Sequence, residues 1–236
     1  MRLFVLAALV AALPAAAQAP ADTTLLVPGD GALVTDWVAP GQTSYVLRLT
    51  APMQQDVGTA QETVTVDGGV VTRVQTVSIP MQGTTQTDSV RADATTLVPM
   101  THHSTGGQQE ASLEFMAEGV VGMLTPREGE ATAVTLLTDA PVFDTAWAGE
   151  IARSLPFAEG AVFKAAAFAG QSPEAAVDLV YTVTGREEVG GATAWVVEAQ
   201  MGPVTMTHLV DAGTRALVET RFSPQPGVSL VIVPAE

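Results

Sequence analysis

Hydrophobic residues alternate with polar residues along most of the chain, with a period of two that Gly, Pro and Asp interrupt. This period places one face of a β-strand on a core and the other face in water. The clearest alternating runs are residues 45–49, 113–115, 177–183, 195–197 and 216–222. Turns are predicted between strands at residues 67–69, 118–119, 185–191 and 211–213. The chain is therefore predicted to be mainly β.

Residues 139–155 break the alternation. Phe143, Trp147 and Ile151 recur every four residues, so in a helix they would share one face. Asp139 suits the cap of such a helix, and a proline directly after residue 155 suits its end. A lone amphipathic helix among strands must bury its apolar face on the sheet. We therefore predict a curved antiparallel sheet, either a half-barrel or an open barrel, with one amphipathic helix packed on its concave face.

The apolar face of the predicted helix has two interpretations. Phe143, Trp147 and Ile151 either pack only in the core, as such stripes usually do, or form the wall of a concave cavity. In the second interpretation the cavity binds a hydrophobic or lipid-like ligand through these three residues. The expected cost of Trp147→Ala separates the two, because a core tryptophan loses more packing than one on a cavity wall.

Composition narrows the class of partners. The chain of 236 residues has 25 Asp and Glu against 10 Lys and Arg, which gives a formal net charge of -15. Such acidity repels phosphate backbones and anionic lipid headgroups, so no nucleic-acid partner is expected. The chain contains no Cys, which excludes disulfides, thiol nucleophiles and thiolate metal sites.

The first residues are typical of a secretory signal peptide. Arg2 precedes the apolar run of residues 3–13, and small residues follow at 15–19. The alternative is a buried N-terminal helix. We predict a signal peptide over residues 1–17 and a single β-rich domain over residues 18–236, exported to the periplasm or the extracellular medium. After residue 17 no stretch approaches the roughly 18 apolar residues of a membrane helix, so the mature chain is expected to have no transmembrane segment.

Few residues could carry chemistry. His102 and His103 could take part in a hydrolase or a metal site together with Glu110 and the distant His208. Adjacent residues on a strand point to opposite faces, however, so the two histidines could share one metal only in a loop. We therefore expect no metal, no cofactor and no catalytic role for this segment.

Two further candidates have simpler structural interpretations. Residues 209–214 resemble the catalytic loop of aspartic proteases, but Ala212 replaces a hydroxyl residue and no second copy is present. A turn capped by Asp211 explains the same residues. Lys164 could become a nucleophile if it were buried, or could extend past its apolar stem into water. The common catalytic motifs are also missing, so the protein is predicted not to be an enzyme.

A series of short segments occurs in a recognisable order: residues 96–99, 143–144, 153–160, 183–189, Trp195, 209–211 and 215–218. Their order and spacing resemble the uncharacterised exported proteins of domain-of-unknown-function family 3108. The resemblance covers about two thirds of the mature chain. By looser similarity it implies the half-barrel of lipoprotein carriers and sorting proteins, although this chain has only one clear helix. The family has no established catalytic residues to carry over.

These observations leave functions of different classes open. The first is a non-enzymatic exported protein that binds a hydrophobic or lipid-like ligand in the cell envelope. The second is an envelope structural or interaction module that binds another envelope protein, through an edge strand and without a small ligand. The third is a hydrolase centred on His102 and His103.

Export makes a direct prediction about the mature N-terminus. Protein recovered outside the cytoplasm should begin at Gln18 or within two residues of it, because the small residues limit where a signal peptidase can cut. Intact-mass measurement of that fraction tests this. A retained Met1 would contradict export through a cleaved signal peptide.

Overall fold

The computed structural model describes residues 22–235. The predicted signal peptide, residues 1–17, lies outside this range. The strands are β1 (Thr23–Leu26), β2 (Gly41–Ala51), β3 (Gln55–Asp67), β4 (Val70–Ile79), β5 (Thr84–Asp93), β6 (Pro99–Thr105), β7 (Gln109–Met116), β8 (Gly119–Pro126), β9 (Thr132–Leu137), β10 (Phe143–Asp144), β11 (Val162–Phe168), β12 (Val177–Val189), β13 (Ala192–Met201), β14 (Val204–Asp211), β15 (Leu217–Gln225) and β16 (Val228–Pro234). The helical elements are α1 (Ala148–Ser154) and 3-10 turns at Pro80–Gln82 and Thr145–Trp147.

All of these strands belong to one sheet. Neighbours in sequence pair antiparallel through two runs, β2 to β9 and β11 to β16, and β16 pairs with β2 to join the runs. The strands β1 and β10 both pair with β11 in parallel. The path ends at β1 and β9, so the sheet is not closed. The predicted mainly β fold with a curved sheet and a helix is confirmed.

The closing strand β16 lies in the middle of the sheet, between β15 and β2. Its sequence is apolar on both faces, which predicts a position inside a sheet, and this is where the structure places it. Its residues from Val228 to Val233 are all half-buried. Within residues 22–235 no helix is long and apolar enough to cross a membrane.

The helix is shorter than its sequence pattern predicts. It was expected over residues 139–155, but the chain is extended at β10, forms a 3-10 turn and becomes α-helical only at Ala148. The cap is Asp144 rather than Asp139, since the Asp144 carboxylate accepts a hydrogen bond from the Ala146 N–H at 2.9 Å. The backbone of Phe143 and Asp144 pairs with β11, and this tertiary pairing outweighs the four-residue period.

The three residues of the predicted apolar face lie in the main hydrophobic core. Phe143 and Ile151 are fully buried, and Trp147 is 2% exposed. They pack in one cluster with Leu155 and Tyr181, among others. The Tyr181 hydroxyl also donates a hydrogen bond to the Ala148 carbonyl at 2.9 Å. The apolar face therefore packs α1 onto the strands.

The 3-10 turn Thr145–Trp147 and α1 together are called the helical segment here. Both runs of strands also contact this segment through polar groups. From β4, Arg73 Nη1 donates to the Ala146 carbonyl at 2.7 Å. From the turn before β15, Arg215 Nη1 donates to the Arg153 carbonyl at 2.6 Å, and Arg153 Nε donates to the Arg215 carbonyl at 2.6 Å. The helical segment thus connects the two runs of strands across the concave face.

One turn geometry occurs twice, after β5 and after β14. Asp93 and Asp211 each accept hydrogen bonds at Oδ1 from the backbone N–H groups two and three residues later and from the threonine hydroxyl three residues later. Each carbonyl accepts from the N–H four residues on, where Leu97 and Arg215 have positive φ angles of 55° and 60°. The alanine directly after each aspartate also donates its N–H to a carbonyl of the preceding hairpin, Ala94 to Gly69 and Ala212 to Thr193. The two runs of strands share this local unit.

The burial of Trp147 predicts a large loss of stability on truncation. Trp147→Ala should lower the free energy of unfolding by about 3 to 5 kcal/mol, because a fully packed indole leaves a cavity that the sheet cannot fill. Urea melts measure the difference. The control Val204→Ala, at a 43% exposed position, should change it by less than about 0.5 kcal/mol. A loss below about 1 kcal/mol for Trp147→Ala would contradict the core assignment.

Candidate functional sites on the concave face

Two cavities lie on either side of the turn that precedes α1, and Thr145 and Ala146 line both of them. The larger, about 390 Å³, contains His102 and is named here the histidine cavity. The smaller, about 200 Å³, contains Arg73 and is named the arginine cavity. The helical segment therefore leaves space on both of its sides.

His102 in the histidine cavity lies between two carboxylates. Its Nδ1 is 2.9 Å from Asp144 Oδ2, an ionic contact whose alignment is not that of a hydrogen bond. Its Nε2 is 3.4 Å from Asp88 Oδ1. The amide of Gln86 also donates to Asp88, at 2.9 Å. The strands β5 and β6 thus supply one polar wall, and β10 supplies the second carboxylate.

This arrangement controls the ionisation of the ring. Burial opposes a charge on His102, but the adjacent carboxylates of Asp144 and Asp88 outweigh burial and raise its pKa to about 9. Burial acts to raise the pKa of Asp88, but hydrogen bonds from His102 and Ser104 outweigh that effect and lower it. A protonated imidazole between two carboxylates leaves the group with a formal charge of about -1.

The rest of the histidine cavity has both polar and apolar walls. Ser104 lies beside Asp88 on the polar side. The apolar wall consists of residues from β7, β8 and β11: Ala111, Leu113, Leu124 and Phe168. Four glutamine residues also line the cavity: Gln86, Gln108, Gln109 and Gln171. Such a cavity can hold a molecule that has one apolar and one hydrogen-bonding side.

The arginine cavity contains one guanidinium between two buried carboxylates. Arg73 Nε lies 3.0 Å from Glu62 Oε2 and 3.3 Å from Glu150 Oε1. Burial raises the pKa of Glu150, and the charge of Arg73 offsets only part of that effect. A buried ion pair of this kind is sensitive to the loss of any member, because the partner would be left uncompensated.

His208 lines the same cavity from β14. Its Nδ1 lies 3.1 Å from Thr220 Oγ1, while its buried Nε2 has no partner within the described part of the chain. Burial lowers the pKa of the ring to about 4. Burial, together with the charges of Glu62 and Glu150, also raises the pKa of Tyr45 to about 12. Both rings are therefore neutral at pH 7.

The three residues predicted from the sequence to form the wall of a ligand cavity do not line either cavity. Phe143, Trp147 and Ile151 belong to the core and line neither the histidine cavity nor the arginine cavity. Their immediate neighbours Thr145 and Ala146 line both cavities instead. Ligand binding by the three apolar residues stays a prediction from the sequence.

The histidines do not come together. His102 and His103 are consecutive on β6, so they face opposite sides of the sheet, and His103 is exposed. His208 lines the arginine cavity rather than the histidine cavity. Glu110 lines a third, open depression of about 600 Å³ near the Gly106–Gly107 turn. Within residues 22–235 no group of three or more histidine and acidic side chains could hold a metal ion.

The other two candidates have structural partners. The Asp211 carboxylate accepts three hydrogen bonds inside its turn, and those from Thr214 and Gly213 lower its pKa. Lys164 is 44% exposed, and its Nζ lies 2.8 Å from Asp178 Oδ2. Asp211 is therefore a turn cap, and Lys164 extends past its stem to a surface ion pair.

Segments that carry the family resemblance form a packed structural unit. The Phe157 and Trp195 rings stack with centroids 5.5 Å apart. Arg186 lies 4.0 Å from the Trp195 ring, and Arg215 lies 4.6 Å from the Phe157 ring. Arg153 lies 3.7 Å from the ring of Trp37. These contacts stabilise the exit of α1 and the turn before β15.

Sequence reasoning missed the polar residues of the concave face. Strand register places Glu62, Gln75, Asp88 and Ser104 in one row across β3 to β6. Arg73 and His102 lie in the next row of the same face. The alternation of residues along each strand could have indicated which of them point inward. The pairing register, which places them side by side, was not available from the pattern.

The two buried histidines predict a stability maximum near pH 6.5. The folded state holds the His102 proton more tightly than the unfolded state, so its contribution is complete below pH 6.5 and is lost as pH rises through about 9. His208 acts oppositely: only the unfolded chain takes up its proton between pH 6.5 and about 4, so stability falls as pH falls. Each contribution is at most about 3 kcal/mol.

Urea melts at several pH values, together with NMR titration of both rings, test this prediction. His102→Gln should remove the loss above pH 6.5 and keep the loss on the acid side. Asp144→Asn should lower the pKa of His102 by removing one of its two carboxylates. A His102 ring that titrates near its ordinary pKa of 6.5 in the wild type would contradict the ionic arrangement.

Comparison with known proteins agrees with the resemblance of the short segments. No curated protein matches the chain. A family model described as "Protein of unknown function (DUF3108)" matches residues 44–221, which include both polar rows of the concave face. The chain therefore belongs to the DUF3108 family.

Proposed function

We propose that the protein is a non-enzymatic binding protein that acts outside the cytoplasm and holds a small amphipathic ligand in the histidine cavity. The observation that carries the proposal is a cavity of about 390 Å³ with an apolar wall on one side and hydrogen-bonding groups on the other. This volume lies in the range of small-molecule sites.

The charge of the cavity favours one kind of polar end. Asp88, His102 and Asp144 are the ionisable groups that line it, and together they carry a formal charge of about -1. A free carboxylate or phosphate on the ligand would be repelled, whereas hydroxyl or amine groups could donate to Asp88. The ligand we propose is therefore lipid-like in its apolar part and carries a hydrogen-bond donor at its end.

The state of His102 supports binding rather than catalysis. Both ring nitrogens face carboxylates, and the raised pKa keeps the ring protonated at neutral pH. A general base must be able to accept a proton near the working pH, and this ring has no free lone pair for it. The N-terminal Arg2, the apolar run and the small-residue exit support a site of action in the cell envelope.

The edges of the sheet support a second candidate, an interaction module. The path of strands ends at β1 and β9, where Leu25 is 64% exposed and Leu137 is 74% exposed. A partner strand could pair with either edge and cover these side chains. This candidate needs no occupant in the histidine cavity.

Calorimetric titration with monolauroylglycerol and with lauric acid tests the first candidate. We expect saturable binding of monolauroylglycerol at one equivalent and at least tenfold weaker binding of lauric acid, because its carboxylate meets Asp88. Leu124→Trp should fill the apolar wall and reduce the affinity at least tenfold. Leu137→Trp, on the exposed edge, is the matched control and should leave the affinity unchanged. Absence of binding, or binding that Leu124→Trp does not change, would favour the interaction module.

A further inference from the structure

We propose that the arginine cavity is a separate binding site for a small primary ammonium ion with a short alkyl chain. The site is built from charged and polar side chains that are almost completely buried: Glu62, Arg73, Glu150 and His208 are 4 to 7% exposed. Within it, His208 Nε2 is buried, without a partner among the described residues, and lies in the cavity wall. A buried polar atom without a partner indicates a ligand group or water.

The buried carboxyl groups of Glu62 and Glu150 and the unpartnered nitrogen of His208 offer hydrogen-bond acceptors. The guanidinium of Arg73 already contacts Glu62, Glu150 and the Ala146 carbonyl. Each carboxylate has two oxygens, and the shortest contact of each with Arg73 uses one of them, Glu62 Oε2 and Glu150 Oε1. With Nδ1–H donating to Thr220 Oγ1, His208 Nε2 becomes an acceptor as well. An ammonium group supplies three donors, which matches these acceptors.

The other side of the cavity is apolar. It is lined by side chains from the helical segment and from β14, β15 and β16: Ala148, Met206, Leu217 and Ile232. A volume of about 200 Å³ limits the ligand to a few carbon atoms. An alkyl chain would contact this side while the ammonium group faces Glu62 and Glu150.

Entry of a cation couples to the proton of Glu150. The charged and titratable groups around this carboxyl are Arg73 on β4, Glu62 on β3, Arg153 on α1, Tyr45 on β2, Tyr181 on β12, and His208 and Glu219 on β14 and β15. Burial favours the protonated carboxyl, and an ammonium ion favours the carboxylate. At a pH low enough for Glu150 to be protonated, binding therefore releases its proton to water while the ammonium ion keeps its own protons. Affinity should rise with pH until Glu150 is ionised in the free protein.

Titration of the full mature chain with propylammonium chloride, with propanol and with sodium chloride tests the proposal. The readout is the NMR signal of the His208 ring, which reports on the arginine cavity itself. We expect a saturable shift with propylammonium, at least tenfold weaker binding of propanol, and no saturable shift with sodium chloride. The propylammonium affinity should increase as the pH rises through the raised pKa of Glu150.

Variants separate this site from the histidine cavity. Glu150→Gln keeps the shape of the side chain and should reduce propylammonium binding at least tenfold, and it should remove the pH dependence. Asp88→Asn changes a carboxylate in the histidine cavity and should leave propylammonium binding unchanged. If Glu150→Gln does not fold, the comparison of propylammonium with propanol on the wild type still decides. Equal binding of the two, or no shift with either, would overturn the proposal, whatever the result with monolauroylglycerol.

Discussion

The arrangement of the concave face depends on the contacts that compensate the buried guanidinium of Arg73. A buried charge without partners costs several kcal/mol, so the chain must bring acceptors to it. It does so with Glu62 from the adjacent strand and with the Ala146 carbonyl and Glu150 from the helical segment. These contacts hold the turn before α1 against β3 and β4. The space on either side of that turn becomes the histidine cavity and the arginine cavity.

The same segment is fixed from the other run of strands by hydrogen bonds between Arg153 and Arg215 and by the Tyr181 hydroxyl. Arg215 can make these contacts because its backbone adopts a positive φ in the turn that Asp211 caps. The corresponding turn at Asp93 has the same hydrogen bonds and ends at Leu97, which is buried in the core. The same turn geometry thus positions Arg215 for hydrogen bonds in the run β11 to β16 and Leu97 for core packing in the run β2 to β9. The connection between the runs combines core packing with a small number of directional bonds.

The period of two along the chain was sufficient to predict a mainly β fold and the turns near residues 67–69, 118–119 and 211–213, because a half-buried strand imposes that period directly. The turn expected over residues 185–191 is confined to residues 190–191, since β12 continues to Val189. The period of four in residues 139–155 overstated the helix. Phe143 and Trp147 are buried as the pattern requires, but Phe143 is buried from a strand that pairs with β11, so the same spacing serves two kinds of backbone. The polar rows were not predictable in this way. They arise from the register between strands that are close in space, and the single-strand pattern marks Arg73 and Glu62 only as polar positions.

The apolar side chains of the helical segment and the polar groups that line the two cavities are therefore separate. Phe143, Trp147 and Ile151 pack in the core and hold the segment on the strands. The histidine cavity and the arginine cavity lie next to polar groups because His102 pairs with Asp144 on one side of the turn and Arg73 pairs with Glu150 on the other. In a protein with a net charge of -15 the carboxyl groups outnumber the cations here as well, because His102 and Arg73 each lie between two of them. In the proposed sites, the negative charge beside His102 favours hydrogen-bond donors over acids, and Glu150 in its ionised form favours a cation beside Arg73.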